Sequence, residues 1–177
     1  MEMAEKGMML FGEVFRCVKE LPIRKNIRLK DYDYSSEGYY FITICTKDKR
    51  EMFATIDVGT NCVRPCLSEH GKIVEKEISV LANTYDTVDV DKYVIMPNHI
   101  HMIIIISAGN NGRTQFAPTI SRIVKQFKGS ITKQIGLLVW QRSYHDHIIR
   151  DEVAYQRIWK YIDENPMLWE EDCYFEK

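Results

Sequence analysis

The strongest constraint on the fold is the run of residues 99–106, which reads His-Ile-His-Met-Ile-Ile-Ile-Ile. β-Branched residues favour strands, and so continuous an apolar run indicates a central strand that is covered on both faces. The two histidines stand two positions apart, so their side chains project from the same face of such a strand. The chain is therefore expected to build a sheet that carries two imidazoles on one face.

The sequence around this strand predicts an α+β fold. Further strands are expected over residues 39–45 and 87–96, and helices over 68–84, over 118–134 and from Asp151 to Pro166. The first helix opens on Ser68 as an N-cap, and the third opens on acids that suit the positive end of the helix dipole. This order of elements favours a sandwich in which helices pack on an antiparallel sheet.

The bulk composition describes one folded domain. The chain has 177 residues, of which 45% are hydrophobic and 28% charged, and no repeat or linker divides it. No apolar run approaches the roughly 20 residues that span a bilayer. Five cysteines, an odd and scattered set, do not suggest a disulfide framework. A cytoplasmic, nucleoid-associated protein without a membrane segment is therefore expected.

Local charge points to nucleic acid more clearly than the formal net charge of −1 does. Residues 16–30 and 113–150 concentrate Lys and Arg, whereas residues 151–177 are acidic and cancel them in the total. A solvated charged face is the alternative interpretation of each basic segment. The predicted phosphate contacts in these segments are Arg24, Lys25, Arg28, Arg122, Lys125, Lys128, Arg142 and Arg150.

The paired histidines are the main candidates for chemistry. A single histidine on a strand is usually a core residue, but two of them among isoleucines bury polar nitrogens that need partners. His99 and His101 are therefore predicted to bind a metal or to act in catalysis. A second pair, His145 and His147, lies in a polar stretch before a helix, where a metal, a helix cap and a phosphate contact all stay open. His147 is assigned to the DNA contacts.

The chain has ten tyrosines, and helical geometry distinguishes the candidates for a nucleophile among those of the third predicted helix. At 100° per residue, the face expected to pack into the core carries Tyr155, Ile158, Trp159 and Ile162. Tyr161 falls at the border of that face, and Asn165 lies one turn further on the same side. A border position suits a tyrosine that reaches an ion from a wet cleft, although half-buried tyrosines also serve packing alone.

Three ordered motifs make the chain recognisable. They are Tyr-Val-Ile-Met-Pro-Asn-His-Ile-His at 93–101, Trp-Gln-Arg-Ser-Tyr-His-Asp-His-Ile-Ile-Arg at 140–150 and Tyr-Ile-Asp-Glu-Asn-Pro at 161–166. The chain resembles the REP-associated tyrosine transposases, which belong to the HUH endonucleases, over about residues 24 to 170. The resemblance implies a single domain over residues 24–177, preceded by an extension, residues 1–23, whose role it does not indicate.

The resemblance also implies a ferredoxin-like sheet, with Tyr161 on a C-terminal helix packed above His99 and His101. Tyr161 would attack single-stranded DNA that carries hairpin or repeat elements, leaving a 5′-phosphotyrosine and a free 3′-hydroxyl. Mg²⁺ or Mn²⁺ on the two histidines would act as a Lewis acid, with Asn165 as the third, oxygen ligand. A monomer is expected, with a dimer as the alternative.

Two other functions fit parts of the pattern. A non-catalytic module could bind single-stranded nucleic acid by stacking bases on Tyr39, Tyr40 and Phe41, but this function does not explain the paired histidines. A metal-dependent hydrolase could use activated water, in which case Tyr161 would be structural. Only the tyrosine mechanism joins the protein covalently to DNA.

Overall fold

The computed structural model describes residues 32–57, 64–107 and 118–175. In chain order the elements are β1 (Gly38–Cys45), a 3-10 turn (Lys47–Lys49), β2 (Ala54–Thr55), β3 (Cys66–Leu67), α1 (Glu69–Thr84), β4 (Val88–Ile95), β5 (His99–Ile106), α2 (Ile120–Ile135), β6 (His145–Ile149), α3 (Glu152–Glu164) and a second 3-10 turn (Asn165–Glu171). The predictions on residues 1–23 and on Arg24, Lys25 and Arg28 lie outside the described residues.

Four strands form one antiparallel sheet in the order β4-β5-β1-β6. Helix α1 carries the chain from β1 to β4, and α2 carries it from β5 to β6, so each crossover passes over one neighbouring strand. This interleaving of two βαβ units is the ferredoxin-like arrangement. The α+β prediction and the placement of His99 and His101 on a central strand are confirmed.

The sheet separates two apolar layers. On one face, α1 and α2 pack over the even-numbered residues of β5, among them Ile100 and Met102. On the other face, α3 places Ile158 and Ile162 against Phe41 and Ile103. Because side chains alternate along a strand, the odd-numbered His99 and His101 belong to the α3 face.

The helices begin close to their predicted starts. The Ser68 hydroxyl caps α1 by accepting a hydrogen bond from the Gly71 amide at 3.1 Å, as the sequence indicated. Thr119 caps α2 in the same way, so that helix begins at Ile120, two residues after the proline expected at its start. None of the helices in the described ranges has the length and apolar character needed to cross a membrane.

The sequence predicted no strand between the second and third helices, but residues 145–149 form the edge strand β6. Only its last two residues are isoleucines, so alternation is too short to indicate a strand. Pairing with β1 supplies the missing information, with Thr43 opposite His145 and Tyr39 opposite Ile149.

The predicted core face of α3 also needs correction. Ile158 and Ile162 are fully buried, but the Trp159 side chain is 38% exposed and does not belong to the core. The Lys92 ammonium lies 3.7 Å from the centroid of the Trp159 ring. A cation over an indole face is favourable at a partly exposed site, which explains why this large aromatic side chain stays at the surface.

Gly71 marks a close approach between α1 and the chain before β2, and a substitution there should be costly. An alanine Cβ at this position would lie 2.0 Å from the Phe53 carbonyl oxygen, so backbone would have to move. We expect Gly71→Ala to lower the free energy of unfolding by about 2 kcal/mol or more in urea denaturation. Gly129→Ala is the matched control, because that position of α2 has open space around it and gains helix propensity. Equal stability of the two variants would contradict the close approach.

Candidate metal and tyrosine site

The two imidazoles of β5 meet beneath α3. His99 and His101 are 0% and 1% exposed, and their ring centroids lie 4.5 Å apart. His99 Nδ1 lies 2.9 Å from Asn98 Oδ1, and His101 Nδ1 lies 2.8 Å from Thr43 Oγ1. Since the Nδ1 atom of each ring is hydrogen-bonded to the protein, the two Nε2 atoms are the nitrogens that could coordinate an ion.

Burial keeps both rings in the form that binds metal. Desolvation, and then the nearby His101, hold the pKa of His99 well below its usual value. Desolvation, and then His145, lower the pKa of His101 to about 3. Both imidazoles are therefore neutral near pH 7, and neutral imidazole is the form that coordinates a metal ion.

Tyr161 stands next to this pair. Its hydroxyl oxygen lies 3.3 Å from His101 Nε2, and its ring packs edge to face on His101 and on Phe41. The side chain is half-buried, which is the border position that the helical wheel predicted. The structure thus brings the predicted nucleophile to the nitrogen that faces the predicted metal position.

Tyr155 lies on the same helix but has a different environment. Its hydroxyl donates a 2.6 Å hydrogen bond to the Asp91 carboxylate on β4. That bond, with burial as a smaller cause, raises the pKa of Tyr155 to about 12. Tyr155 therefore ties α3 to the sheet, and its hydroxyl does not face the histidines.

Asn165 begins the turn that follows α3, and it is buried beside the histidines. Its side-chain nitrogen donates to Asp172 Oδ2 at 2.7 Å. Its Oδ1 is buried and interacts with the His99 ring, raising the pKa of His99 slightly against the larger effect of burial, but neither this oxygen nor His99 Nε2 makes a well-formed hydrogen bond in the described part of the chain. Buried polar atoms are rarely left without partners, so these two atoms suggest a group that is bound from outside the chain.

Asp172 joins the site without having been predicted. Ligand atoms of His99, His101 and Asp172 all lie within 4.8 Å of one another, which is close enough to share one ion. The sequence shows only that residues 151–177 are acidic. Asp172 reaches the histidines because the 3-10 turn after α3 sends the chain back across β5, and no local spacing reports that reversal.

The chain on both sides of Asp172 covers His99. The Tyr174 ring lies 4.4 Å from the His99 ring between centroids, and Trp169 lies 6.0 Å away on the same measure. The Asn98 side-chain nitrogen donates to the Tyr174 carbonyl at 2.7 Å. Asn98 thus contacts both His99 and this terminal segment.

The predicted DNA contacts fall into two groups. Arg142, His147 and Arg150 lie in or beside β6, and His147 shares the α3 face because it pairs with Phe41. Arg122 and Lys125 are exposed on α2, in the layer on the other side of the sheet from the histidines.

Lys128 has a structural partner. Its ammonium donates to the carbonyls of Gln141 and Ser143 at 2.6 and 3.1 Å, and burial lowers its pKa. It therefore anchors the loop between α2 and β6, whatever else it contacts.

Comparison with known proteins identifies relatives and solved structures that bear on this geometry. An uncharacterized protein of Haemophilus influenzae is 40% identical over 168 residues, covering 84% of this chain and 91% of that protein. A second Haemophilus influenzae protein, named "Putative REP-associated tyrosine transposase", is 24% identical over 143 residues, covering 76% of this chain and 73% of that protein. No family model matches the sequence.

The structural neighbour is a REP-associated tyrosine transposase solved in complex with a REP hairpin. It superposes with a TM-score of 0.58 at 19% identity, over 78% of this chain and 73% of that one. At this identity the superposition establishes a shared fold. The predicted resemblance to the REP-associated tyrosine transposases is confirmed.

Proposed function

Because this chain belongs to one family with the uncharacterized Haemophilus influenzae protein and shares the fold of a REP-associated tyrosine transposase, we propose that it cuts and rejoins single-stranded DNA. Tyr161 is the proposed nucleophile. The observation that carries this function is the 3.3 Å distance between the Tyr161 hydroxyl and His101 Nε2, within a pair of buried, neutral imidazoles.

The donor set fits a divalent ion. His99 and His101 present two Nε2 atoms, Asn165 presents an unpartnered buried oxygen, and Asp172 adds a carboxylate. Two imidazoles with hard oxygen donors suit Mg²⁺ or Mn²⁺, which as a Lewis acid withdraws charge from a phosphate. Asn165 is the proposed third ligand, and Asp172 either joins it or holds it in place through their hydrogen bond.

The chemistry of Tyr161 follows from its position. The Tyr161 hydroxyl loses its proton and its oxygen bonds to the scissile phosphorus, while the bond from phosphorus to the 3′ oxygen breaks and the released 3′ oxygen takes up one proton. The protein then carries a 5′-phosphotyrosine and the other fragment ends in a 3′-hydroxyl. The phosphodiester of the DNA is replaced by a phosphodiester to tyrosine of similar energy. A 3′-hydroxyl can therefore attack the phosphotyrosine and rejoin the strand without ATP.

DNA with hairpin or repeat elements is the proposed substrate, because the structural neighbour was solved with a REP hairpin. Arg142, His147 and Arg150 are proposed to contact its phosphates, since they lie in or beside β6 and His147 shares the α3 face. Arg122, Lys125 and Lys128 are proposed to contact a part of the DNA that passes the α2 layer. Arg24, Lys25 and Arg28 remain predicted contacts.

The non-catalytic alternative is less well supported by the structure. Tyr40 and Phe41 are 0% and 2% exposed, so of the three aromatics proposed to stack bases only Tyr39 is available, at 42%. The water-activating hydrolase keeps the same metal ligands and differs only in the role of Tyr161. Covalent trapping separates these functions.

The proposed function is tested by incubating the purified chain with Mn²⁺ and a single-stranded hairpin labelled at its 3′ end, which stays on the fragment that becomes joined to the protein, followed by denaturing electrophoresis. We expect a labelled protein–DNA adduct that survives denaturation and disappears when EDTA is added first. Cleavage without an adduct would support the hydrolase, and binding without cleavage would support the non-catalytic module.

We also propose that the protein acts as a monomer, because both imidazoles, the tyrosine and the oxygen donors come from one chain. Light scattering of the purified protein should give a mass close to 20.9 kDa, both free and mixed with Mn²⁺. A stable dimer in which α3 of one copy packs on the histidines of the other would contradict this arrangement.

A further inference from the structure

A cationic cavity opens at the end of β1, outside the histidine–tyrosine site. It has a volume of about 330 Å³ and lies between the 3-10 turn Lys47–Lys49 and the loop between α2 and β6. Lys47, Lys49 and Arg142 line it, while the Asp48 carboxylate on its rim is paired with Arg50 at 3.6 Å. The cavity therefore presents an excess of positive charge.

The same cavity has an apolar wall. Leu138 lines it and is 75% exposed, and its neighbour Leu137 is 58% exposed. Apolar side chains this exposed contribute little to the core. Cations beside an uncovered apolar surface match the two halves of a nucleotide, whose phosphate is anionic and whose base presents apolar faces.

The backbone holds the cavity in shape. The Lys47 amide donates to the Val139 carbonyl at 2.7 Å, and the Gln141 amide donates to the Cys45 carbonyl at 3.0 Å. Asp48 and Lys49 adopt left-handed backbone conformations, with φ of 55° and 49°. This conformation is unfavourable for residues other than glycine and persists where surrounding contacts impose it, often at ligand sites.

The cavity adjoins the histidines. Cys45 pairs with His99, and the next residue, Thr46, lines the cavity. The Thr46 amide donates to the Asn98 carbonyl at 2.8 Å, and the Asn98 side chain contacts both His99 and the Lys49 carbonyl. Asn98 therefore connects the cavity wall to the His99 side of the metal and tyrosine site.

We propose that this cavity binds one unpaired nucleotide of the DNA strand that adjoins the cleaved phosphate. Lys47 and Arg142 contact its phosphate, and Leu138 packs on its base. The identity of the bound nucleotide rests on the proposed function, because the nucleotide is taken to belong to the same single-stranded substrate.

The test measures binding of fluorescent oligothymidylate to the full chain by anisotropy, without divalent metal and over a range of salt. The double variant Lys47→Gln/Arg142→Gln should bind about tenfold more weakly and should lower the slope of affinity against salt by about 1.4, because two ionic contacts with a single strand are lost. Lys76→Gln, on the exposed side of α1, is the control and should match the wild type. A double variant that behaves like Lys76→Gln would overturn the proposal.

Leu138→Ala tests the base contact separately. Its side chain is exposed, so the fold should be unaffected, and affinity for oligothymidylate should fall about threefold or more with an unchanged salt slope. An oligomer of abasic nucleotides should bind this variant and the wild type equally. Unchanged affinity of Leu138→Ala for oligothymidylate would reject the base contact. These measurements need no cleavage, so an absent adduct with intact cavity effects would reject the proposed function alone.

Discussion

Replacing His101 by alanine is expected to remove high-affinity Mn²⁺ binding, with a loss of affinity of about a hundredfold or more. Changes to residues that only hold a metal ligand in place typically cost 10- to 100-fold in metal affinity, and this variant deletes a proposed ligand atom. Electron paramagnetic resonance of Mn²⁺ titrated into the protein measures the free and bound ion directly. Strand cleavage should be lost in parallel.

The variant also leaves the Thr43 hydroxyl without its partner in a buried position. We therefore expect the free energy of unfolding to fall by about 1–3 kcal/mol, and a thermal melt must show that the variant is folded. His145→Ala is the matched control, since that side chain shares the sheet face and pairs with Thr43 from the other side. If His101→Ala binds Mn²⁺ unchanged while His145→Ala does not, the metal belongs to the second histidine pair.

Replacing Tyr161 by phenylalanine is expected to abolish the protein–DNA adduct while leaving the fold and DNA binding intact. The aromatic contacts with Phe41 and His101 depend on the ring, which phenylalanine keeps. Only the hydroxyl is lost, so stability should change by less than about 1 kcal/mol. The proposed reaction loses the oxygen that would attack phosphorus, so the labelled adduct should fall to background.

Tyr155→Phe is the control on the same helix. It breaks the hydrogen bond to Asp91 and should lower stability by about 1 kcal/mol, yet it should form the adduct at the wild-type level. An adduct that persists in Tyr161→Phe, or that is absent only in Tyr155→Phe, would identify a different nucleophile.

Local pattern was sufficient to predict the centre of this fold. The run of residues 99–106 indicated a covered central strand, because its composition leaves no face for water, and its period of two placed both imidazoles on one side. The period of 3.6 placed Tyr161 at the edge of α3, where the structure finds it half-buried.

What the sequence did not indicate depends on contacts between distant segments. Strand β6 has too few alternating residues to be recognised and exists through its pairing with β1. Asp172 reaches the histidines only because the chain turns back after α3. Trp159 lies on the predicted core face of α3, but Lys92 of β4 stabilises it at the surface.

The most direct test of the tyrosine mechanism is mass spectrometry of the trapped adduct. The complex formed with Mn²⁺ and a single-stranded hairpin is digested with nuclease and protease, and the peptide that retains a nucleotide is sequenced. We predict a 5′-linked nucleotide on Tyr161, with a 3′-hydroxyl on the released DNA fragment. A nucleotide on Tyr155 or another residue, or cleaved DNA that carries a free 5′-phosphate and no modified peptide, would contradict the assignment of Tyr161 as the nucleophile.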